Sequence, residues 1–330
     1  MYILNRAMKK SLICGISGQD GAYLASFLLH KGHSVYGTSR DAEISSFRNL
    51  ESLGIKDSVQ LESMALNDFR SVLQVLLKVE PDEIYNLAGQ TSVALSFAQP
   101  VETLESIATG TLNLLEAIRF TKAPIKFYNA GSSECFGDTG DSAADEFTPF
   151  RPRSPYAVAK AAAFWEVANY REAYNIFACS GILFNHESPL RPERFVTQKI
   201  ISTICRIATG SPEKLILGNT LIQRDWGWAP DYVEAMYLML QQPIAHDYTI
   251  ATGKSNSLQK FVETGFAYFG IDPNDHLVID QSLFRPSEIM RSCGNPQKAK
   301  EKLGWQAKYE MQDIITMMIE SKQNDTNRRK

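Results

Sequence analysis

Ser132-Ser133-Glu134 and, a short way on, Tyr156-Ala157-Val158-Ala159-Lys160 bring a hydroxyl, a carboxylate, a phenol and an ammonium into one stretch of chain. Tyr156 and Lys160 are four residues apart, so on a helix they share a face. An ammonium beside a phenol stabilises the phenolate and draws its pKa from about 10 towards neutrality, which makes the phenol a general base. A hydroxyl at Ser132 can hydrogen-bond a reacting oxygen, and a carboxylate at Glu134 can take a proton from carbon. Each has a plain alternative: Tyr/Lys pairs are common on exposed helices, and a glutamate in a polar loop is usually solvated. Their occurrence together, after a strand, favours chemistry.

A second motif supplies the context. Gly15-Ile16-Ser17-Gly18-Gln19-Asp20-Gly21 spaces its glycines at i, i+3 and i+6, directly after a strand-like run and at the opening of a helical one. Small residues there allow a tight turn and close backbone approach, so that a pyrophosphate can rest on N–H groups at the helix start. The residue after the second strand discriminates NAD from NADP. An acid there accepts from a ribose hydroxyl, and an arginine accommodates a 2′-phosphate. Ser39-Arg40-Asp41 offers both types, with Arg40 favouring NADP and NAD left open.

These residues must be held by a β-α-β alternation that the apolar pattern supplies. Strands are expected at Ser11–Gly15, Ser34–Thr38, Ser58–Glu62, Glu83–Leu87, Ile125–Asn129 and Phe177–Phe184. Helices are expected at Ala22–Lys31, Asp68–Val79, Val101–Phe120 and Tyr156–Tyr174. The pattern predicts an α/β fold: a doubly wound, Rossmann-type parallel sheet with a smaller interleaved α/β substrate lobe. Residues 1–189 are assigned to a cofactor-binding domain, with later elements near 219–255 interleaved, and 190–330 mainly to substrate binding. In the second part, helices are expected at Phe195–Thr209, Val233–Gln241, Leu258–Gly270, Pro296–Leu303 and Met311–Lys322, with short strands at Lys214–Leu217 and Tyr248–Ile250.

Composition excludes several other classes. The chain has 330 residues, 44% apolar and 22% charged, with a net charge of −3, and offers no electrostatic footprint for nucleic acid. Cys14, Cys135, Cys179, Cys205 and Cys293 are an odd, scattered set without a CxxC pair, and the five histidines lack metal spacing. No metal is expected. No apolar run reaches the roughly 18 residues of a membrane helix, so the expectation is a cytoplasmic protein. Residues 1–7 read as an extension before Met8, and the basic tail 325–330 as a solvated end.

The order GxxGxxG, Asn86-Leu87-Ala88-Gly89-Gln90, Ser132-Ser133-Glu134 and Tyr156xxxLys160 resembles the extended short-chain dehydrogenase/reductase family of nucleotide-sugar enzymes. Longer stretches are similar to its GDP-mannose 4,6-dehydratases: Arg153–Lys160, Gly181–Pro189, Phe195–Lys199, Arg224–Gly227, Ile250–Gly253 and Phe284-Arg285-Pro286. The resemblance runs from about residue 10 to 320 and implies roles at the matching positions. Ser132, Glu134, Tyr156 and Lys160 are the catalytic set. Gly15, Gly18, Gln19, Asp20, Gly21, Arg40, Leu87 and Ala88 hold NADP together with Tyr156 and Lys160. Asn185, Lys199, Arg224, Arg285 and Glu288 hold a GDP-sugar, with Arg224 and Arg285 read as loop residues. A homo-oligomer, dimer or tetramer, is implied as well. The chain departs from the family pattern at Arg40-Asp41, where two arginines are usual, and at Leu190–Arg194. These departures leave room for a related sugar such as a GDP-heptose. A 4-epimerase or 4-reductase would have no need of Glu134, and a silent nucleotide sensor would need none of the catalytic set.

Overall fold

In a computed structural model, residues 8–285 and 287–328 are described, with side chains up to 324. The extension over residues 1–7, Pro286 of the Phe-Arg-Pro motif and the side chains of the basic tail lie outside the described residues. The chain divides into two compact units.

The first unit comprises the chain up to Ser132 together with Ser154–Ile182 and Val233–Asp247. Its strands are β1 Lys10–Cys14, β2 Ser34–Ser39, β3 Gln60–Ser63, β4 Glu83–Asn86, β5 Lys126–Ala130 and β6 Ala178–Leu183. All pair in parallel, in the order β6-β5-β4-β1-β2-β3. The strands β1, β4 and β6 are buried almost without interruption, because helices cover both faces of the sheet and leave no polar side. Leu12, Ile84 and Phe127 pack with Val72 and Leu76 of helix Phe69–Val79, Leu114 and Ile118 of helix Gly110–Thr121, and Val167 of helix Pro155–Tyr174. The order reverses between β1 and β4, which opens a crevice at their carboxyl ends.

The sequence pattern predicts one helix over Val101–Phe120. The structure instead has Val93–Ala98, Pro100–Leu104, a π-helical turn at Glu105–Thr109, and Gly110–Thr121. Pro100 has no N–H to continue a helix from 98 and serves as a first helical residue. The π turn faces the loop after β4: Ser106 Oγ accepts the Gln90 N–H at 3.2 Å, and a Cβ on Gly89 would lie 2.9 Å from Ile107 Cγ1.

The second unit comprises 133–153, Leu183–Tyr232 and the chain from Tyr248. Its strands are β7 Asn185–Glu187, β8 Leu215–Leu217, β9 Gln223–Trp228, β10 Tyr248–Ile250, β11 Ser255–Ser257 and β12 Leu277–Ile279. A three-stranded sheet runs β11-β9-β7, and β8 pairs with β12. Ile200, Ile204, Trp226, Phe261, Phe266, Ile314 and Met318 form the core. The expected helices all form, the last extending to Arg328, but β7, β9, β11 and β12 escape the apolar pattern. Arg224, read as a loop residue, lies within β9, where it pairs with Asn256 of β11, while β7 pairs with the following residues Trp226–Trp228.

Candidate active site

The glycine turn is built by steric necessity. Gly15 has φ +84°, and a Cβ there would meet the Ala88 Cα at 2.9 Å. A Cβ on Gly21 would lie 2.5 Å from the Gly15 oxygen and 2.6 Å from the Ile16 Cα. The Gly18 N–H closes the turn on the Gly15 oxygen at 3.1 Å, and Gly18 begins helix Gln19–His30 with no side-chain cap. Gln19 Nε2 donates to Asp20 Oδ1 at 3.1 Å within the first helical turn. Across the crevice the Leu87 N–H donates to the Cys14 oxygen at 3.0 Å, which places Leu87 and Ala88 against the turn. A close-packed backbone cradle before an uncapped helix start fits a dinucleotide pyrophosphate.

At the end of β2, Arg40 is exposed and makes no ion pair among the described residues. Asp41 turns into its own loop: its Oδ1 accepts the N–H groups of Glu43 at 2.9 Å and Ile44 at 3.2 Å. Arg48, also exposed, opens helix Arg48–Ser52, which Asn49 ties to the glycine turn through a 3.0 Å bond from Nδ2 to the Ser17 oxygen.

Tyr156 and Lys160 stand in the first turns of helix Pro155–Tyr174. Pro155 starts the helix, and Ser154 caps it by accepting the Ala157 N–H at 3.1 Å. Tyr156 is 9% exposed and Lys160 7%, so both are withdrawn from bulk water and screening there is weak. Lys160 Nζ donates to the Ala130 oxygen at 2.7 Å and lies 6.0 Å from the Tyr156 ring centre. The carboxyl end of β5 therefore fixes the ammonium. That end is itself tied to β4, where Asn86 Nδ2 donates to Asn129 Oδ1 at 3.1 Å. Ser132, buried, follows Gly131, whose Cβ would clash with the Gly181 oxygen at 2.9 Å.

The chain enters the second unit at Ser133. Glu134 is half-buried in the 3₁₀ turn Ser133–Phe136. Arg224 is buried; its Nη1 donates to the Ile289 oxygen at 2.8 Å and the Gln223 oxygen at 2.9 Å, and its Nη2 lies 3.9 Å from Glu288 Oε1. Burial draws the Arg224 guanidinium below its ordinary value. Glu134 opposes this, Arg285 adds to it, and Glu288 and Asp138 oppose it. Glu134, Arg285 and Glu288 thus all act on the buried Arg224 guanidinium. Asn185 stands on β7, where its backbone pairs with Trp226 of β9, two residues along from Arg224. Lys199, exposed on helix Val196–Ala208, instead donates to the Ile216 oxygen at 2.7 Å. Among the described residues no cluster of three or more His, Cys, Asp or Glu is arranged to hold a metal ion, and no helix is long and apolar enough to cross a membrane. Sequence reasoning missed the Ala130 carbonyl, which has no side-chain signal, and Asp225, which stood in a quoted motif beside the arginine that drew attention.

Residues 12–318 match the sequence model of the family described as GDP-mannose 4,6 dehydratase. The chain belongs to this family. GDP-mannose 4,6 dehydratase 1 of Arabidopsis thaliana is 46% identical, over 94% of this chain and 89% of that protein. The GDP-mannose 4,6-dehydratase of Vibrio cholerae is 42% identical, over 94% of this chain and 93% of its own. Among solved structures, UDP-glucose 4-epimerase of Thermus thermophilus in complex with NAD has a TM-score of 0.82 at 25% identity, covering 94% of this chain and 98% of that one. The doubly wound parallel sheet read from the sequence is the fold this chain shares with that solved structure, and the resemblance read from the sequence holds for the GDP-mannose 4,6-dehydratase family.

Proposed function

We propose that this chain is a GDP-mannose 4,6-dehydratase that uses a nicotinamide cofactor, NADP by preference, and yields the 4-keto-6-deoxy sugar. The observation that carries the reading is the buried Arg224, whose Nη2 lies 3.9 Å from Glu288 Oε1 and on which Glu134 and Arg285 also act electrostatically. It puts a candidate carbon base among the groups suited to a nucleotide diphosphate, which a simple 4-epimerase would not require. Relatives 46% and 42% identical, named for this activity, support it.

When bound, the cofactor supplies a reversible two-electron acceptor for carbon 4 and, later, a donor for carbon 6. The glycine turn, Leu87 and Ala88 would hold it. The Tyr156 phenolate takes the proton of the hydroxyl on carbon 4, and the Ser132 hydroxyl holds that oxygen. The Lys160 ammonium, anchored on the Ala130 carbonyl, stabilises the phenolate. A ketone at carbon 4 acidifies the proton on carbon 5, which Glu134 removes. The protonated Glu134 carboxyl then delivers that proton to the hydroxyl leaving carbon 6, so that water departs. Glu134, reprotonated from solvent, returns a proton to carbon 5 as the 4-keto-6-deoxy product forms, and the Tyr156 phenol gives its proton back to solvent, so both bases are regenerated. Arg224 and Arg285 meet the diphosphate with charge-assisted donors, Glu288 and Asn185 hold sugar hydroxyls, and Lys199 completes the site by releasing the Ile216 carbonyl.

Arg40 and Arg48 are exposed and suited to a 2′-phosphate, while Asp41 is engaged with its own loop, which supports NADP over NAD. In this reading the first unit binds the cofactor and the second the GDP-sugar, and the protein works in the cytoplasm. A homo-oligomer is supported by Val101, Leu104, Val158 and Trp165, which stand exposed on the packed helices Pro100–Leu104 and Pro155–Tyr174. The test of function is incubation with GDP-mannose and mass detection. A product lighter by one water is expected, and a product of unchanged mass would favour an epimerase.

A further inference from the structure

Strand β9 carries two buried charges side by side, Arg224 at 5% and Asp225 at 0% exposure. Neighbouring strand residues project to opposite faces, so the two serve different surroundings. Asp225 Oδ1 accepts the Thr252 N–H at 2.9 Å and the Thr252 hydroxyl at 2.7 Å. Its Oδ2 accepts the N–H groups of Gly253 at 2.9 Å and Gly294 at 3.4 Å. One carboxylate thereby pins two separate pieces of chain, the 252–253 turn before β11 and the end of the 288–294 stretch. That stretch is also bound to β9 by the Gln223 N–H on the Met290 oxygen at 2.7 Å, the Ser292 N–H on the Gln223 oxygen at 3.0 Å, and Arg224 on the Ile289 oxygen. It carries Glu288, 3.9 Å from Arg224.

Burying a carboxylate this deeply is costly, and burial pushes the Asp225 carboxyl up to about 6 despite the four donors. Those donors occupy both oxygens, so Asp225 is in no position to take part in the chemistry. We propose that Asp225 is a positioning residue for nucleotide-sugar binding, fixing the 252–253 turn and the 288–294 stretch on β9 and so setting where Arg224 and Glu288 stand. The inference rests on the reading of Arg224 as a diphosphate ligand.

Asp225→Asn keeps the shape but turns an N–H₂ towards backbone N–H donors. In the full-length protein, GDP affinity measured by titration calorimetry is expected to fall about tenfold, with the KM for GDP-mannose rising to match and kcat held within about twofold. In an Arg224→Ala background the same substitution should cost little further GDP affinity, because GDP lacks the sugar that Glu288 holds and the effect on it passes through Arg224. Thr252→Val, which removes only the hydroxyl donor, should raise KM by about two- to threefold; it provides the test should Asp225→Asn fail to fold. Loss of GDP affinity in Arg224→Ala with none in Asp225→Asn or Thr252→Val would overturn the Asp225 assignment alone. Unchanged GDP affinity in folded Arg224→Ala would overturn both. A fall in kcat with unchanged KM would mark Asp225 as merely structural and overturn the proposal.

Discussion

Alanine at Gly18 should separate cofactor binding from the integrity of the turn. Gly18 has φ −72°, open to any L residue, and an added Cβ would meet only the Gly15 oxygen, at an ordinary 3.4 Å. The fold should therefore lose little beyond the poorer cap, about 1 kcal/mol, or a few degrees in Tm. At Gly21 the added Cβ would lie 2.5, 2.6 and 2.9 Å from backbone atoms of Gly15 and Ile16, which cannot move aside cheaply. Overpacking of that kind costs about 1–3 kcal/mol, so Gly21→Ala should melt earlier than Gly18→Ala. The order reverses for specificity of effect. A methyl at Gly18 stands where a pyrophosphate must approach the helix start, and losing one charge-assisted bond there costs about 1.5–3 kcal/mol, or roughly ten- to a hundredfold in affinity. Thermal melts with and without NADP, together with calorimetric titration of the cofactor, read both quantities. Gly18→Ala that binds NADP as tightly as the unaltered protein would refute the placement of the pyrophosphate on this turn.

Two further expectations follow from charges elsewhere in the first unit. Arg40→Ala should weaken NADP binding by about tenfold and leave NAD binding unchanged, one arginine–phosphate contact being worth about 1.5 kcal/mol or more; comparable losses for both cofactors would remove Arg40 from the 2′-phosphate site. Burial holds the His33 imidazole below its ordinary value although Glu83 and Asp82 pull the other way, so the unfolded chain binds a proton there that the folded one does not. Stability should then rise with pH through the unfolded value of about 6.5, and His33→Gln should lessen the slope of Tm between about pH 5 and 8; an unaltered slope would show that His33 does not carry it.

The first unit was legible because its strands are covered on both faces. Leu12-Ile13-Cys14 and Ile84-Tyr85 therefore read as unbroken apolar runs, and the glycine spacing marks a turn in which Gly15 and Gly21 leave no room for a Cβ. Strand β9 was not legible for the opposite reason. It buries Arg224 and Asp225, and what compensates those charges lies far along the chain, at Ile289, Thr252, Gly253 and Gly294. Helical periodicity likewise passed over Pro100 and the π turn, since neither changes which residues are apolar. Tyr156 and Lys160 were evident from their spacing, but the carbonyl that holds Lys160 is a backbone atom without sequence identity. That Glu134 acts electrostatically on Arg224 is a tertiary effect that neither motif announces.

The central claim is that Glu134 is the base that turns oxidation at carbon 4 into dehydration. Glu134→Gln preserves size and hydrogen-bonding shape while removing the base, and losing a positioned general base costs about 10²–10⁴ in rate. The decisive measurement follows GDP-mannose in deuterated water, reading deuterium at carbon 5 and release of 4-keto-6-deoxy product for Glu134→Gln and Tyr156→Phe. For Glu134→Gln, both deuterium uptake and product should fall by about that factor while the absorbance of reduced nicotinamide still develops; for Tyr156→Phe, that absorbance should itself be suppressed. Near-normal deuterium exchange and dehydration by a folded Glu134→Gln protein would contradict the account.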